Sequence, residues 1–203
     1  MNKHRALALL MVASCSSSIH AAGAVAPPAT DEVTEPTIRL LTSAFLDGGT
    51  IPKKFTCVGD GGGVSPEFHW IDTPPGTVSF TLIFSDPDFH ANKGAADGMH
   101  WMLWNIPGTA RSLPEAIPAT ASLADGARQF TNAKGESGYH GPCGRPGKPH
   151  HYTFGLYALD KKLDVPANAS RSDVMNAMDG HIIGKSVYIG MFSKEGKVGP
   201  SRQ

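Results

Sequence analysis

The sequence has no surplus of charge of either sign. Eighteen Lys and Arg balance eighteen Asp and Glu, so the formal net charge is zero. A nucleic-acid binder needs a clear basic excess to displace counterions from phosphates, so the balance argues against that class. Long apolar runs are also missing. The N-terminal run ALALLMVA has eight residues, whereas a bilayer-spanning helix needs about twenty. No internal repeat and no second domain are visible along the 203 residues. No two histidines stand at the i, i+4 spacing of a helical metal site, and no serine sits in a recognisable strand–turn–helix elbow. Cysteine is scarce, with three in the chain.

What is abundant is glycine, with 23, and proline, with 16. Together they favour a loop-rich, mainly β protein over a helical bundle. The first residues read differently. A basic MNKHR followed by the short apolar run is the pattern of a secretory signal, expected over 1–24. Two processing sites are open. VASC, ending in Cys15, resembles the lipobox of bacterial lipoproteins, in which the cysteine is lipidated. AGA at Ala22 to Ala24 is an alternative small-residue cleavage site. Residues 25–36 make a polar linker, 37–196 the folded domain and 197–203 a tail. The mature protein is expected outside the cytoplasm, periplasmic or anchored to the outer membrane, with a lipid anchor as its only membrane contact. With Cys15 assigned to the signal, Cys57 and Cys143 remain, and an oxidising compartment predicts a disulfide between them.

Alternation locates the strands. TIRLLTSAF reads as a first strand, and the segment from Leu46 to Trp70 as turn-rich. In TVSFTLIFSD, Val78, Phe80, Leu82 and Phe84 share one parity, with Asp86 next in the row. HWMLWNIP is apolar on both faces, with His100, Met102 and Trp104 on one and Trp101 and Leu103 on the other, as in a central strand. In HHYTFGLYALD, His150, Tyr152, Phe154, Leu156 and Ala158 line one face. SRSDVMNAMDGHIIG is the best helix, opened by a serine and carrying Asp173 in its first turn. Val174, Met175 and Met178 stand at helical spacing within it. SVYIGMFSK closes the domain as a short strand. The pattern is a β-rich sandwich with one or two short helices near the C-terminus.

Polar groups therefore gather at three strand ends: Asp86 with Asp88, His100, and His150 with Tyr152. The loop GYHGPCGRPGKPHHY, rich in glycine and proline, lies before the last of these and is locally basic through Arg145 and Lys148. Exposed amides of such a loop, imidazole donors and a tyrosine hydroxyl are suitable partners for a phosphate or carboxylate. A small anion is the expected guest, with no cofactor and no nucleic acid. Nothing in the sequence names a protein partner.

SDPD, HWMLWNIPG, GYHGPC and HHYTFGLYALD, in this order, resemble the phosphatidylethanolamine-binding protein family, and most closely its bacterial Raf kinase inhibitor-like branch. TCVGDGGGVSPEFHW adds to the likeness, which covers about Ile38 to Ser193. The resemblance implies a β-sandwich of antiparallel sheets with an anion pocket at one end. It places Asp86, Asp88, His100, Gly141, Pro142, His150 and Tyr152 in that pocket, and suggests an inhibitor or regulator of a partner. Two positions depart from the family pattern. His90 stands where a proline is common, and His151 where an arginine is often found. Both fall on the rim.

Two other readings use the same residues. Asp86, His90, His100, His140 and His150 are ligand types for zinc or iron. His100 with Asp86 would alternatively suit acid–base hydrolysis. Cys143 with His140 or His150 is a further nucleophile–base pair, weakened by the structural partner that Cys57 offers Cys143. His69, His140 and His181 lack such company and are expected at the surface or behind the site.

Overall fold

The structure is a computed structural model, and it describes residues 38–90 and 94–194. The expected signal over 1–24, Cys15, the linker 25–36 and the tail 197–203 lie outside these residues. Nine strands and one α-helix follow in order. They are β1 (Arg39–Leu41), β2 (Gly49–Thr50), β3 (Phe68–Ile71), β4 (Ser79–Asp86), β5 (Gly98–Pro107), β6 (Ser112–Leu113), β7 (Arg128–Gln129), β8 (His150–Leu159), α1 (Arg171–Met178) and β9 (Ile182–Phe192). A three-stranded sheet has the order β1-β3-β6, and a six-stranded sheet the order β2-β9-β8-β4-β5-β7. All pairings are antiparallel except the two-residue contact of β2 with β9. The family resemblance carries over to the architecture, a mainly β sandwich with one α-helix.

β4 lies at the centre of the larger sheet, and all eight of its residues are buried. A strand can be apolar on both faces only when both are covered. Phe80, Leu82 and Phe84 enter the main core with Phe68, Trp70 and Phe154. Ile83 faces the other side and packs with Met102, Trp104, Val174 and Met178 beneath α1. Phe84 stacks on Phe154 at 4.0 Å between centroids and on Tyr139 at 5.3 Å, so aromatic surface is concentrated under the end of the strand that carries Asp86.

β5 departs from simple alternation. Its register against β4 slips between Phe84 and Ser85, where Trp101 pairs with Phe84 but Met99 pairs with Ser85. His100 is the extra residue, a β-bulge. The even parity that groups it with Met102 and Trp104 therefore fails. His100 turns onto the main-core side, its ring 5.1 Å from Phe84 and 5.3 Å from Tyr152. A second slip between Phe80 and Leu82 leaves Asn105 at φ 57°, a left-handed conformation that asparagine tolerates. Its amide donates to the Leu163 carbonyl at 3.0 Å and accepts from the Leu163 N–H at 2.7 Å, tying in the loop before α1.

Other expectations shift at element boundaries. Val78 precedes β4 and is 44% exposed. The first strand keeps only Arg39–Leu41 of the nine residues expected, and FHWI, read as part of a turn-rich stretch, is β3. The helix stops at Met178 because Gly180 takes φ 76°, so the residues after His181 join an eleven-residue β9 rather than the helix. Its start is as expected. Ser170 and Asp173 each accept a hydrogen bond from the other's backbone N–H, at 3.2 and 2.8 Å. Met175 is turned outward, 38% exposed, while Val174 and Met178 are buried.

Candidate functional site

Asp86 ends β4 on the main-core face and is 3% exposed. A buried carboxylate must be fully partnered. Its Oδ1 accepts the N–H groups of Asp88 and Phe89, both at 3.0 Å, which folds the Pro87 turn around it. Its Oδ2 meets His150 Nδ1 at 2.7 Å. Nδ1–H donates, so Asp86 fixes the orientation of the ring at the start of β8. Nε2 of His150 makes no hydrogen bond among the described residues.

His100 is held by backbone. Its Nδ1–H donates to the His140 carbonyl at 2.8 Å, and its own carbonyl accepts the His140 N–H at 3.1 Å. The loop after β7 is thus clipped to the bulge. His140, expected at the surface or behind the site, is the residue that sets the His100 tautomer. Burial pushes the His100 imidazole below the usual histidine range, against the opposing pull of the His140 carbonyl and the Asp86 charge. The ring is neutral near pH 7, and with its proton on Nδ1 it presents a lone pair at Nε2.

Tyr152 lies between the two histidines, 5.3 Å from His100 and 6.3 Å from His150 by ring centroid. Its hydroxyl is buried and has no partner at good hydrogen-bond geometry, although the Asp86 side chain and the amides of Cys143 and Gly144 approach it. Burial and the nearby Asp86 charge raise its pKa well above the usual tyrosine value, so it stays a protonated donor. The amides of Cys143 and Gly144 point toward the same oxygen and partly offset the rise.

The Gly-Pro loop is fixed from below. The Cys57 N–H donates to the Pro142 carbonyl at 3.0 Å, and Cys57 is bonded to Cys143 in a disulfide with Cα atoms 5.3 Å apart. The expected bridge is present. A Cβ on Gly141 would come within 2.6 Å of the Thr56 carbonyl carbon, so this approach admits only glycine. A Cβ on Gly144 would sit 2.9 Å from the Phe192 carbonyl oxygen and 3.1 Å from the Tyr152 hydroxyl. Gly144 was not singled out in the sequence, and its only signal there is adjacency to Cys143.

The rim is a separate pair. Asp88 Oδ2 accepts both the backbone N–H and the Nδ1–H of His151, each at 2.7 Å. These two bonds hold the Asp88 carboxyl below its usual range. Asp88 thus faces His151 rather than the Tyr152 hydroxyl, although its N–H helps hold Asp86. His90 is exposed. His69 is exposed on β3, and His181 pairs with Asp160 at 2.9 Å away from the site. Among the described residues no three of His, Cys, Asp and Glu gather as a set of metal ligands. The cluster of Asp86, His100, His150, Tyr152 and the loop amides can offer a hydroxyl donor, N–H donors, a neutral imidazole acceptor and an oriented imidazole. That set matches a small oxyanion.

A family model described as phosphatidylethanolamine-binding protein matches residues 41–193. A UPF0098 protein of Methanothermobacter thermautotrophicus is 40% identical over 157 residues, covering 77% of this chain and 99% of the relative. YbhB of Escherichia coli is 31% identical over 161 residues, covering 77% and 100%. Among solved structures, the Chlamydia trachomatis CT736 homologue superimposes with a TM-score of 0.69 at 33% identity, covering 79% of this chain and 99% of that one. Escherichia coli YbcL gives a TM-score of 0.68 at 28% identity, covering 78% and 99%.

Proposed function

The chain belongs to the phosphatidylethanolamine-binding protein family, and from that premise we propose that its Tyr152 cluster binds a small phosphate-type anion outside the cytoplasm. Family membership makes it a binding or regulatory protein in general terms. Export is supported by the N-terminal sequence pattern and by the Cys57–Cys143 disulfide, a bond that persists in oxidising compartments.

The observation that carries the anion reading is the Tyr152 hydroxyl, buried and without a partner at good hydrogen-bond geometry, with the Cys143 and Gly144 amides turned toward the same oxygen. Leaving such a group unpaired costs about 1–3 kcal/mol, which a ligand oxygen accepting from it would remove. Titration with inorganic phosphate tests it, following the imidazole NMR signals of His100 and His150. Both are expected to shift at millimolar phosphate, and the His100 signal is expected to stay still in His150→Ala. Signals that do not move in the native protein refute the reading.

The protonation of His100 adds a selectivity. A phosphate monoanion can donate its own P–OH to the Nε2 lone pair, whereas sulfate at neutral pH has no proton to give. Phosphate is therefore expected to bind at least about tenfold tighter than sulfate at pH 7, the order of one charge-assisted hydrogen bond. As the pH falls through the depressed His100 value, Nε2 gains a proton and becomes a donor. Sulfate affinity should rise over that interval and the ratio should shrink. A phosphate-to-sulfate ratio that stays flat across the interval in which the His100 imidazole signal itself titrates would show that His100 does not face the anion.

A further inference from the structure

α1 covers only part of the outer face of the six-stranded sheet, over Ile83, Met102 and Trp104. Beside it, toward β8 and β9, a cavity of about 190 Å³ remains. Gly155 offers no side chain to fill it, and the Tyr157 ring leans back over that position, where a Cβ would sit 3.1 Å from Tyr157 Cε2. Met175 of α1 and Val187 of β9 line the walls and are 38% and 45% exposed. Ser85 is buried in the lining. Its hydroxyl donates to Asp97 Oδ2 at 3.2 Å and stands 3.1 Å from the Thr153 hydroxyl oxygen. Ser85 directly precedes Asp86 on β4, so the two side chains point to opposite faces. The sheet itself separates this cavity from the Tyr152 cluster.

Two cations border the cavity, and neither is firmly paired. Arg171 reaches Asp97 Oδ2 only at 3.4 Å, long against the roughly 2.8 Å of a strong charge-assisted bond. Lys185 has no carboxylate partner among the described residues, and its ammonium stands 5.4 Å from the centre of the Tyr157 ring. Asp97 is the one carboxylate in the lining, which therefore carries a single excess positive charge. An apolar hollow with underused cations at its border suits an anion with an apolar body. The excess of one charge matches a monoanion, and the planar guanidinium fork matches a carboxylate. The volume lies below the range of drug-sized ligands, so the body must be short.

We propose that this cavity is a second binding site, and that it takes a small carboxylic acid with a short aliphatic chain. The carboxylate lies between Arg171 and Lys185, and the chain lies against Met175, Val187 and Ile83. This site stands apart from the phosphate reading, and neither depends on the other.

Titration with 4-methylpentanoate and with its neutral amide, 4-methylpentanamide, tests the site, with the methyl NMR signals of Met175 and Val187 as reporters. The acid is expected to move both signals at millimolar concentration, the range open to a ligand of this size. The shifts should persist when inorganic phosphate is already present in excess. The amide has the same shape and is expected to bind about tenfold more weakly at low salt. That difference should largely vanish at about 1 M salt, where screening is strong. In Lys185→Gln, whose side chain is exposed, the affinity for the acid should fall about threefold and that for the amide should not change. Arg171→Gln should act in the same way. Acid and amide of equal affinity in the native protein overturn the assignment of the two cations, and with it the ligand class. Met175 and Val187 signals that stay still throughout the millimolar range overturn the site. Shifts confined to His100 and His150 put the acid in the Tyr152 cluster and overturn the site as well.

Discussion

Loss of the Cys57–Cys143 disulfide, by reduction or by Cys→Ser at both positions, is expected to lower the unfolding free energy by about 2–5 kcal/mol. The bridge joins residues 86 apart in sequence, and closing a loop of that length restricts the unfolded chain by roughly 4.6 kcal/mol in the chain-entropy account. The local effect is as important. The bridge, the Cys57 N–H to Pro142 carbonyl bond and the close approach of Gly141 to Thr56 are what hold the loop that carries His140, Cys143 and Gly144. His100 depends on that loop for its proton acceptor. Denaturant unfolding with and without reductant checks the first effect. Phosphate affinity measured under conditions where the reduced protein is still folded checks the second, and a fall of about tenfold is expected from one lost oriented group. An unchanged denaturation midpoint after complete reduction would contradict the stability claim.

Asp86→Ala is expected to cost about 2–4 kcal/mol and to abolish phosphate binding. The substitution strands the amides of Asp88 and Phe89 and the Nδ1 of His150, all of which meet this one carboxylate. Buried donors left without acceptors carry the full desolvation penalty. Asp86→Asn is the sharper probe, because the side-chain carbonyl can still accept from the turn. It should fold with a loss of about 1–2 kcal/mol, since a neutral acceptor makes the weaker bond. Its NH₂ cannot accept from His150, so the ring must change tautomer or turn. Phosphate affinity should then drop by an order of magnitude or more, a consequence of the lost orientation. An Asp86→Asn variant with native affinity would remove Asp86 from the site.

Much of the site was legible because alternation is a local property. Phe80, Leu82 and Phe84 point Asp86 into the core, and Tyr152, Phe154 and Leu156 do the same for His150. These rows need no knowledge of the partner strand. His100 shows where local reading stops. Its side is decided by a bulge, which exists only relative to the register of β4, so parity assigned it to the wrong face. β3 was hidden for a related reason. Four residues between turns carry too little periodicity to stand out, and their strand character comes from pairing with Leu40 and Leu113 on either side. The end of α1 was missed because apolar residues continue past it, and only the positive φ of Gly180 marks the break. Gly144 and Lys194 come from distant parts of the chain and meet only in the folded molecule, where the Lys194 N–H donates to the Gly144 carbonyl at 3.1 Å, so no spacing announces the contact.

The outer edge of β5 has a further consequence. A long apolar strand with free N–H and C=O groups is a template on which another chain can add. Here the Phe130 N–H takes the Met102 carbonyl at 2.9 Å, β7 pairs with Leu103 and Trp104, and the His140 N–H takes the carbonyl of His100. The segment from Arg128 to His140 thus seals the edge of β5 from Trp104 back to His100 as it shapes the site. Colloidal behaviour and recognition hang on the same stretch of chain. Protein whose bridge has been cut should begin to assemble at concentrations where the intact form stays dispersed, with the newly bared β5 edge as the point of growth.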